Sequence, residues 1–246
     1  VRFADPEVKR ICVKLWDTDK NGDINVSEAE SYRTFIAADL GGTEIKTFDE
    51  MRLFTNSRQY NNQTFSNCKS LKSIMLPDSF VKIAYRDFYN CISLEQIVLG
   101  KGVTSIEGEA FHSCNSLKTI VWGGSETRIN DYNVFDSCAF EELELPETME
   151  FIGGSAFRYN TKLKKVSLGT KINTLSWGSF RDCPSLTTVI IKAVTPPVCS
   201  DPFGTFENSP CIIYVPDTAV STYKTASGWI EFASRIEPIS EYKGEL

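Results

Sequence analysis

The chain is poor in histidine and has no long apolar run, and each shortage excludes a class of protein. His112 is the one histidine among 246 residues, which leaves little for histidine-based catalysis or metal binding. No apolar stretch approaches the ~18 residues that a membrane-spanning helix needs. The motifs of serine hydrolases, zinc proteases and phosphate-binding loops are absent as well. We therefore predict a non-enzymatic protein with no membrane span in this chain.

Clusters of basic residues are also absent. The 26 lysines and arginines are outnumbered by 32 acidic residues, for a formal net charge of −6. Nucleic acid binding needs clustered Lys and Arg that neutralise phosphates, so the composition argues against a nucleic acid partner. No signal-peptide pattern opens the chain, and Val1 in place of Met suggests a mature or trimmed protein.

The sequence contains an internal repeat. A phenylalanine recurs at intervals of 22 to 24 residues, and three positions after it stands a cysteine in five copies and Asn160 in the remaining one. A leucine and an I-x-L pair follow in most copies, although the fourth copy uses Phe140 with one residue deleted. This spacing is typical of leucine-rich repeats. The six phenylalanines are Phe65, Phe88, Phe111, Phe135, Phe157 and Phe180.

The repeat predicts a solenoid of the α/β-type leucine-rich-repeat class, with mainly short parallel β-strands and irregular turns. Each I-x-L pair is a short strand that cannot bury its apolar face alone, so each coil must stack on its neighbours. We expect six to seven repeats over residues 43–215, a helical N-terminal cap over 1–42 and a C-terminal cap over 216–246.

The ends of the solenoid carry their own signals. "CIIYVP" reads as the last strand, and Asp217 reads as the cap of a short helix that carries Val220 and Tyr223. An apolar plug is expected to close the core at this end. Its members are Trp229, Phe232 and Ile236.

The cysteine column calls for a small, weakly hydrogen-bonding side chain inside each turn. Parallel stacking keeps equivalent Cβ atoms about one strand spacing apart, further than the ~3.8 Å that a disulfide prefers. We favour packed free thiols over disulfides, and both over reactive or metal-binding cysteines. Cys199 and Cys211 lie outside the column, so this argument does not exclude a disulfide bond between them.

A calcium loop precedes the repeats. "DTDKNGDINVSE" covers residues 17–28 and has oxygen-bearing side chains at loop positions 1, 3, 5, 7, 9 and 12 with Gly22 at position 6. This is the EF-hand spacing, and so many carboxylates repel one another unless a cation is present. The alternative is an acidic loop that holds its turn without metal. The candidate Ca²⁺ ligands are Asp17, Asp19, Asn21, Asp23 through its backbone carbonyl, Asn25 and Glu28.

Helices are predicted on both sides of this loop. Asp5 and Pro6 open the first helix, and Ser27 with Glu30 has capping-box spacing at the start of the second. Ile24 has no partner loop and is expected to pack elsewhere. The inward residues are Val8, Ile11, Cys12, Leu15 and Trp16 in the first helix, and Tyr32, Phe35 and Ile36 in the second.

The repeat resembles the BspA-like leucine-rich-repeat proteins of anaerobic gut and oral bacteria. Their pattern "I…AF..C.SL..I.L" is clearest in "SIEGEAFHSCNSLKTI" and "FIGGSAFRYNTKLKKV", and the resemblance covers roughly residues 45 to 236. It implies an exported, extracellular or cell-surface protein that binds other macromolecules, without naming the ligand.

One outward residue between the two inward residues of each strand forms a candidate binding face, because repeat proteins usually bind along such a face. Simple β-propensity on a strand face is the alternative. A second column, Tyr85, Tyr132 and Trp177, holds either exposed aromatic anchors or rings that pack over turns. The face residues are Met75, Val98, Val121, Glu144, Ser167 and Ile190.

The leading functional prediction is protein–protein interaction or adhesion at a bacterial surface. Glycan capture by aromatic rings is a rival, favoured if the three rings are exposed on a common rim. A purely structural spacer is the third possibility, and it would present only polar faces.

Overall fold

The computed structural model describes residues 1–33, 40–57, 62–199 and 201–244. The strands in these residues are short and all their pairings are parallel, as predicted. In chain order they are β1 (Thr47–Phe48), β2 (Ser73–Met75), β3 (Lys82–Ile83), β4 (Gln96–Val98), β5 (Ser105–Ile106), β6 (Thr119–Val121), β7 (Arg128–Tyr132), β8 (Glu142–Glu144), β9 (Phe151–Gly154), β10 (Lys165–Leu168), β11 (Thr174–Leu175), β12 (Thr188–Ile191), β13 (Val198–Cys199), β14 (Ile212–Val215) and β15 (Ile236–Pro238).

The strands form three sheets among the described residues. The I-x-L strands make a first sheet in the order β1-β2-β4-β6 and a second sheet in the order β15-β14-β12-β10-β8. A third sheet, β13-β11-β9-β7-β5-β3, lies on another side of the coils and contains the apolar residue five positions before most of the phenylalanines. The six central coils therefore contribute one strand to each side of a continuous core.

The first and second sheets are separated between β6 and β8, where the repeat is irregular. Phe140 replaces the usual leucine one residue early, and Trp122 replaces the second aliphatic residue of the strand. The Trp122 indole nitrogen donates a hydrogen bond to the carbonyl oxygen of Glu144 at 2.9 Å. A bulky side chain thus bridges the strands that would otherwise continue the sheet.

The repeated phenylalanines stack along the core. Neighbouring ring centroids from Phe65 to Phe180 lie 5.0 to 5.3 Å apart, with interplanar angles of 1° to 7°. Phe206 adds a seventh ring, 5.8 Å from Phe180. It follows Phe180 by 26 residues rather than 22 to 24, so the regular spacing of the repeat does not predict it. All eight cysteines lie in described segments and are buried and free, including Cys199 and Cys211.

Helix α1 (Pro6–Trp16) starts as predicted. Asp5 caps it by accepting a hydrogen bond from the backbone N–H of Glu7 at 2.8 Å, and the same carboxylate accepts the N–H groups of Lys46 and Thr47. One buried side chain thereby joins the start of α1 to the first strand. Leu15, predicted to face inward, is 40% exposed because it points away from the stripe formed by the other four residues.

Helix α2 (Val26–Ser31) differs from its prediction at both ends. Its capping box consists of Asn25 and Glu28 rather than Ser27 and Glu30, because Asn25 already has extended backbone and accepts the Glu28 N–H. The helix ends before Tyr32, whose backbone is extended and whose ring packs 4.3 Å from that of Trp16. Phe35 and Ile36 lie outside the described residues. Ile24 is buried in the main core, as expected.

The C-terminal segment adds two short helices, α3 (Pro202–Thr205) and α4 (Val220–Thr225), and another strand. "CIIYVP" forms β14 but is not the last strand, because β15 pairs beyond it. Asp217 does not cap α4; its carboxylate accepts the N–H of Ser240 at 3.1 Å. Trp229, Phe232 and Ile236 are buried, as predicted.

No helix in the described part of the chain has the length and apolar character needed to span a bilayer. The division into residues 1–42, 43–215 and 216–246 stays a prediction.

Candidate functional site

The predicted binding face is divided into two unlike halves. Met75, Val98 and Val121 are in register on adjacent strands of the first sheet, and Val121 is 44% exposed. We call these three residues the first-sheet patch. In the second sheet Glu144 is exposed, but Ser167 and Ile190 are buried, so the prediction that they line a binding surface is wrong.

The C-terminal segment explains the burial of Ser167 and Ile190. The ring of Tyr242 lies 5.0 Å from that of Tyr214 on β14 and 5.4 Å from the ammonium of Lys165 on β10. Because β12 lies between β14 and β10, Tyr242 and its neighbours cover the outward side of these strands. Val121 at the equivalent position in the first sheet stays 44% exposed.

A groove of about 630 Å³ borders the first-sheet patch. Trp122 extends its apolar wall, whereas Arg52, Asp78 and Lys101 supply charges at its rim. The groove therefore combines an apolar centre with a polar edge, which is the usual composition of a protein-binding surface.

A second groove of about 470 Å³ follows the gap between β6 and β8. Ile120 is partly exposed there, although its counterparts Ile74 and Ile97 are buried. Lys118, Glu142 and Glu144 line the other parts of this groove. The sheet break thus exposes apolar surface beside the first-sheet patch.

Alternating charges border the start of the I-x-L strands. Lys118 binds Glu95 on the preceding coil at 2.9 Å, and Lys164 binds Glu141 at 2.9 Å. The hydrogen bond from each lysine lowers the pKa of the paired glutamate. These exposed pairs contribute little to stability, but they keep this border polar.

The acidic loop brings three of its predicted ligands together. Carboxylate oxygens of Asp17, Asp19 and Glu28 lie within 4.8 Å of one another. Asp17 accepts the N–H groups of Asn21 and Gly22 at 3.2 and 2.8 Å, which curls the loop around these oxygens. Gly22 has a φ of +85°, a conformation that glycine adopts without strain.

Glu28 is held inside the loop. Its carboxylate accepts hydrogen bonds from the N–H groups of Asn25 and Thr18 and from the Thr18 hydroxyl, and these bonds lower its pKa to about 2. Asn25 caps α2, and Asp23 forms an ion pair with Lys9, so neither side chain turns into the cluster. The Asn21 amide instead bonds to the Asp19 carboxylate at 2.9 Å.

The aromatic column is exposed. Tyr85, Tyr132 and Trp177 expose 37%, 67% and 41% of their surfaces along the third sheet. The expectation that they merely pack over turns is therefore incomplete, because part of each ring faces solvent.

The stacked parallel coils, their buried phenylalanine row and their I-x-L strands define a leucine-rich-repeat protein. The chain belongs to the family described as "BspA type Leucine rich repeat region", whose model matches residues 44–133 and 82–208 in six copies. No curated protein matches the chain significantly.

Several solved bacterial structures share the fold. The T. pallidum leucine-rich repeat protein TpLRR is 26% identical, with a TM-score of 0.51 over 75% of this chain and 77% of that one. A Bacteroides ovatus leucine-rich repeat protein is 21% identical, with a TM-score of 0.54 over 67% of this chain. The pneumococcal vaccine antigen PcpA is 20% identical, with a TM-score of 0.54 over 79%. The matches span 42% and 44% of the latter two proteins.

Proposed function

We propose that this protein is a non-enzymatic binding module of the bacterial cell surface that holds a protein partner on the first-sheet patch. Membership in the BspA-type family supports a surface interaction role. The accessible apolar patch is the observation that carries the assignment to this face. Exposed apolar residues grouped on one surface often mark interaction sites.

The patch is well placed for this role. Met75, Val98 and Val121 form one row across three strands, and the groove beside Trp122 receives side chains from a partner. Full burial of a fully exposed side chain of this kind contributes ~1.5–3 kcal/mol, and the largest gain in the row falls on Val121, because Met75 and Val98 are already half-buried.

A double substitution tests this proposal. The intact chain and a Val98→Lys/Val121→Lys variant are immobilised and exposed to purified host extracellular proteins and to bacterial envelope proteins. Val81→Lys/Val194→Lys is the matched control, because these valines are 64% and 62% exposed and lie off the first sheet. We expect specific partners to be lost only from the first variant. Equal recovery by all three chains would contradict the proposal and favour a structural spacer.

We also propose that residues 17–28 bind one Ca²⁺ with a structural role. Calcium takes oxygen ligands at about 2.4 Å, so ligand atoms across the ion lie at most about 4.8 Å apart, which fits Asp17, Asp19 and Glu28. The Asn21 side chain, released from Asp19, and the Asp23 carbonyl would complete the set, whereas Asn25 caps α2 and would take part only through water. The bound ion would neutralise the carboxylates and hold α1 and α2 over the first coil.

A further inference from the structure

An aromatic residue and a glycine alternate along the third sheet, three positions before successive phenylalanines. The order is Tyr85, Gly108, Tyr132, Gly154 and Trp177. A Cβ atom at Gly154 would lie 2.9 Å from Cδ1 of Tyr132, and one at Gly108 would lie 3.6 Å from Cδ2 of Tyr85. Each ring therefore leans over the next coil, and a side chain at Gly154 would displace Tyr132.

A β-bulge places Tyr132 at the centre of this row. The pairing of β7 with β9 shifts register between Ile129 and Tyr132, and Asp131 has a φ of +57°. The coil between Phe111 and Phe135 has one extra residue, and Tyr132 beside it is 67% exposed, the largest exposed fraction in the row. A Cβ atom at Gly153 would clash with the Asp131 carbonyl oxygen, so the neighbouring coil is shaped to accept the bulge. Bulges commonly re-aim a side chain beside a functional site.

Polar groups line the same surface. Arg128 donates to the amide oxygen of Asn130 at 3.0 Å, and the Asn130 amide nitrogen donates to Glu107 at 3.3 Å. The Ser105 hydroxyl also donates to Glu107, at 2.7 Å. Glu107, Asn130 and Ser105 are half-buried, so their orientation is set by packing while part of each side chain reaches solvent.

We propose that this surface binds an extended, neutral, β-linked oligosaccharide, with Tyr132 as the main platform and Tyr85 and Trp177 as flanking rings. The aliphatic face of a pyranose carries C–H groups that are attracted to the electron-rich face of an aromatic ring. Its hydroxyl groups require donors and acceptors such as Asn130 and Glu107 beside that ring.

The spacing of the rings supports this ligand. Adjacent coils are one strand spacing apart, ~4.8 Å, which is also about the length that one sugar adds to an extended β-linked chain. Rings on alternate coils would therefore meet every second sugar. A protein hot spot would instead group its aromatic residues at one centre, and here glycines separate them.

The charges of the surface narrow the ligand class. Glu107 and Asp131 place carboxylates along the row, and a polyuronate would bring like charges next to them. Glu109 accepts a hydrogen bond from Tyr85 at 3.2 Å and is paired with Arg86 at 2.8 Å, so its charge is balanced beside that ring. The guanidinium groups of Arg86 and Arg181 lie 5.0 and 5.3 Å from the ring centroids of Tyr85 and Trp177, which leaves Tyr132 as the main platform. The row therefore fits a neutral chain and disfavours an acidic one.

Affinity electrophoresis of the full chain in native gels tests the proposal. The probes are hydroxyethyl cellulose, mixed-linkage β-glucan, xylan and, as the acidic counter-probe, polygalacturonate. We expect retardation by at least one neutral polysaccharide and none by polygalacturonate. Tyr132→Ala should weaken binding at least about tenfold, as for a hot-spot ring, and Trp177→Ala several-fold. Tyr132→Phe should retain binding because it keeps the ring.

Tyr159→Ala is the matched control, because Tyr159 is 44% exposed but lies off the row. Melting temperatures within about 2 °C of the parent verify that each variant is folded. Failure of every neutral probe, retention of binding by Tyr132→Ala, or equal loss in Tyr159→Ala would each overturn the proposal. None of these outcomes depends on the first-sheet patch, so the two proposals fail separately.

Discussion

The thiol of Cys114 donates a hydrogen bond to the carbonyl oxygen of Phe88, one coil earlier, at 3.0 Å. The same bond joins Cys91 to Phe65 at 3.0 Å. Where the column lacks cysteine, the Asn160 amide reaches Phe135 and the Ser209 hydroxyl reaches Phe180, both at 2.8 Å. The column therefore requires a small donor that satisfies a buried carbonyl, and cysteine is its commonest solution.

Substitution of Cys114 separates hydrogen bonding from packing. Cys114→Ala removes one of the two hydrogen bonds to the Phe88 carbonyl, which still accepts the N–H of Cys91 at 3.2 Å, so we expect a loss of ~0.5–1.5 kcal/mol in the free energy of unfolding. Cys114→Ser keeps a donor, as Ser209 does, and should lose less than half as much. Urea unfolding monitored by tryptophan fluorescence measures both. Equal losses would mean that the thiol acts only through its volume.

Six coils carry two residues with left-handed backbone, two positions before and two positions after the phenylalanine, and the coil of Phe206 carries only the later one. The later position holds mostly Asn, Ser or Asp, of which Asn and Asp tolerate this conformation well, while the earlier one is more varied. The earlier set is Gln63, Arg86, Glu109, Asn133, Ser155 and Gly178, and the later set is Asn67, Asn90, Ser113, Ser137, Tyr159, Asp182 and Asn208.

Gln63→Gly is expected to stabilise the protein. Gln63 is exposed with a φ of +66°, and glycine removes ~1–2 kcal/mol of strain while adding ~0.5–1 kcal/mol of unfolded-state entropy. The net gain should be ~0.5–1 kcal/mol by urea unfolding. Gln63→Val, with its branched Cβ, should destabilise the fold. A stabilising valine would show that this turn adopts another conformation.

The buried carboxylate of Asp87 is expected to make the protein less stable as pH rises from about 4 to about 7. This fully buried carboxylate accepts the N–H groups of Thr64 and Ala84, but desolvation dominates and raises its pKa to about 7. In this window the folded state binds more protons than the unfolded state, so stability decreases as pH rises, by at most ~1.4 kcal/mol per pH unit.

Melting temperatures measured at half-unit steps from pH 5 to pH 8 test this assignment. Asp87→Asn cannot ionise, so its curve should be flatter than that of the parent. Asp78→Asn is the control, because Asp78 is exposed. A parent curve that rises through this window, or that Asp87→Asn leaves unchanged, would refute the assignment.

Calcium should raise the melting temperature of the metal-free chain. Saturation at a hundred times Kd stabilises the folded state by ~2.7 kcal/mol, or roughly 5–10 °C for a chain of this size. Glu28→Gln removes one of the three clustered carboxylates and should abolish most of the shift. Asp23→Asn keeps the backbone carbonyl and should retain it. No shift in the parent chain would leave the loop as an acidic turn.

Repetition made much of the fold predictable. The Phe65-to-Phe180 row, the I-x-L strands and the free thiols follow from side chains that recur at one spacing, because stacked coils bring equivalent positions into contact. The start of α1 at Asp5 and Pro6 was equally predictable, because helix capping depends on residues that are neighbours in sequence. The third sheet was not predictable as strands, because its two-residue strands show one recurring apolar residue per coil and no period-two alternation.

The candidate sites were only partly predictable. Asp17, Asp19 and Glu28 meet as the loop spacing indicates, whereas Asn25 is occupied as a helix cap. Tyr85, Tyr132 and Trp177 were visible as a column, but the bulge at Asp131 that exposes Tyr132 required the paired strands.

The sequence by itself determined the repeat, its inward residues and the acidic loop, because these depend on spacing along the chain. The tertiary structure decided which outward residues are available. Ile190 and Val98 occupy equivalent positions in their coils, yet Tyr242 returns over the second sheet, Ile190 is buried, and Trp122 divides that sheet from the first. Burial of an outward residue depends on segments distant in sequence, and no local period encodes them.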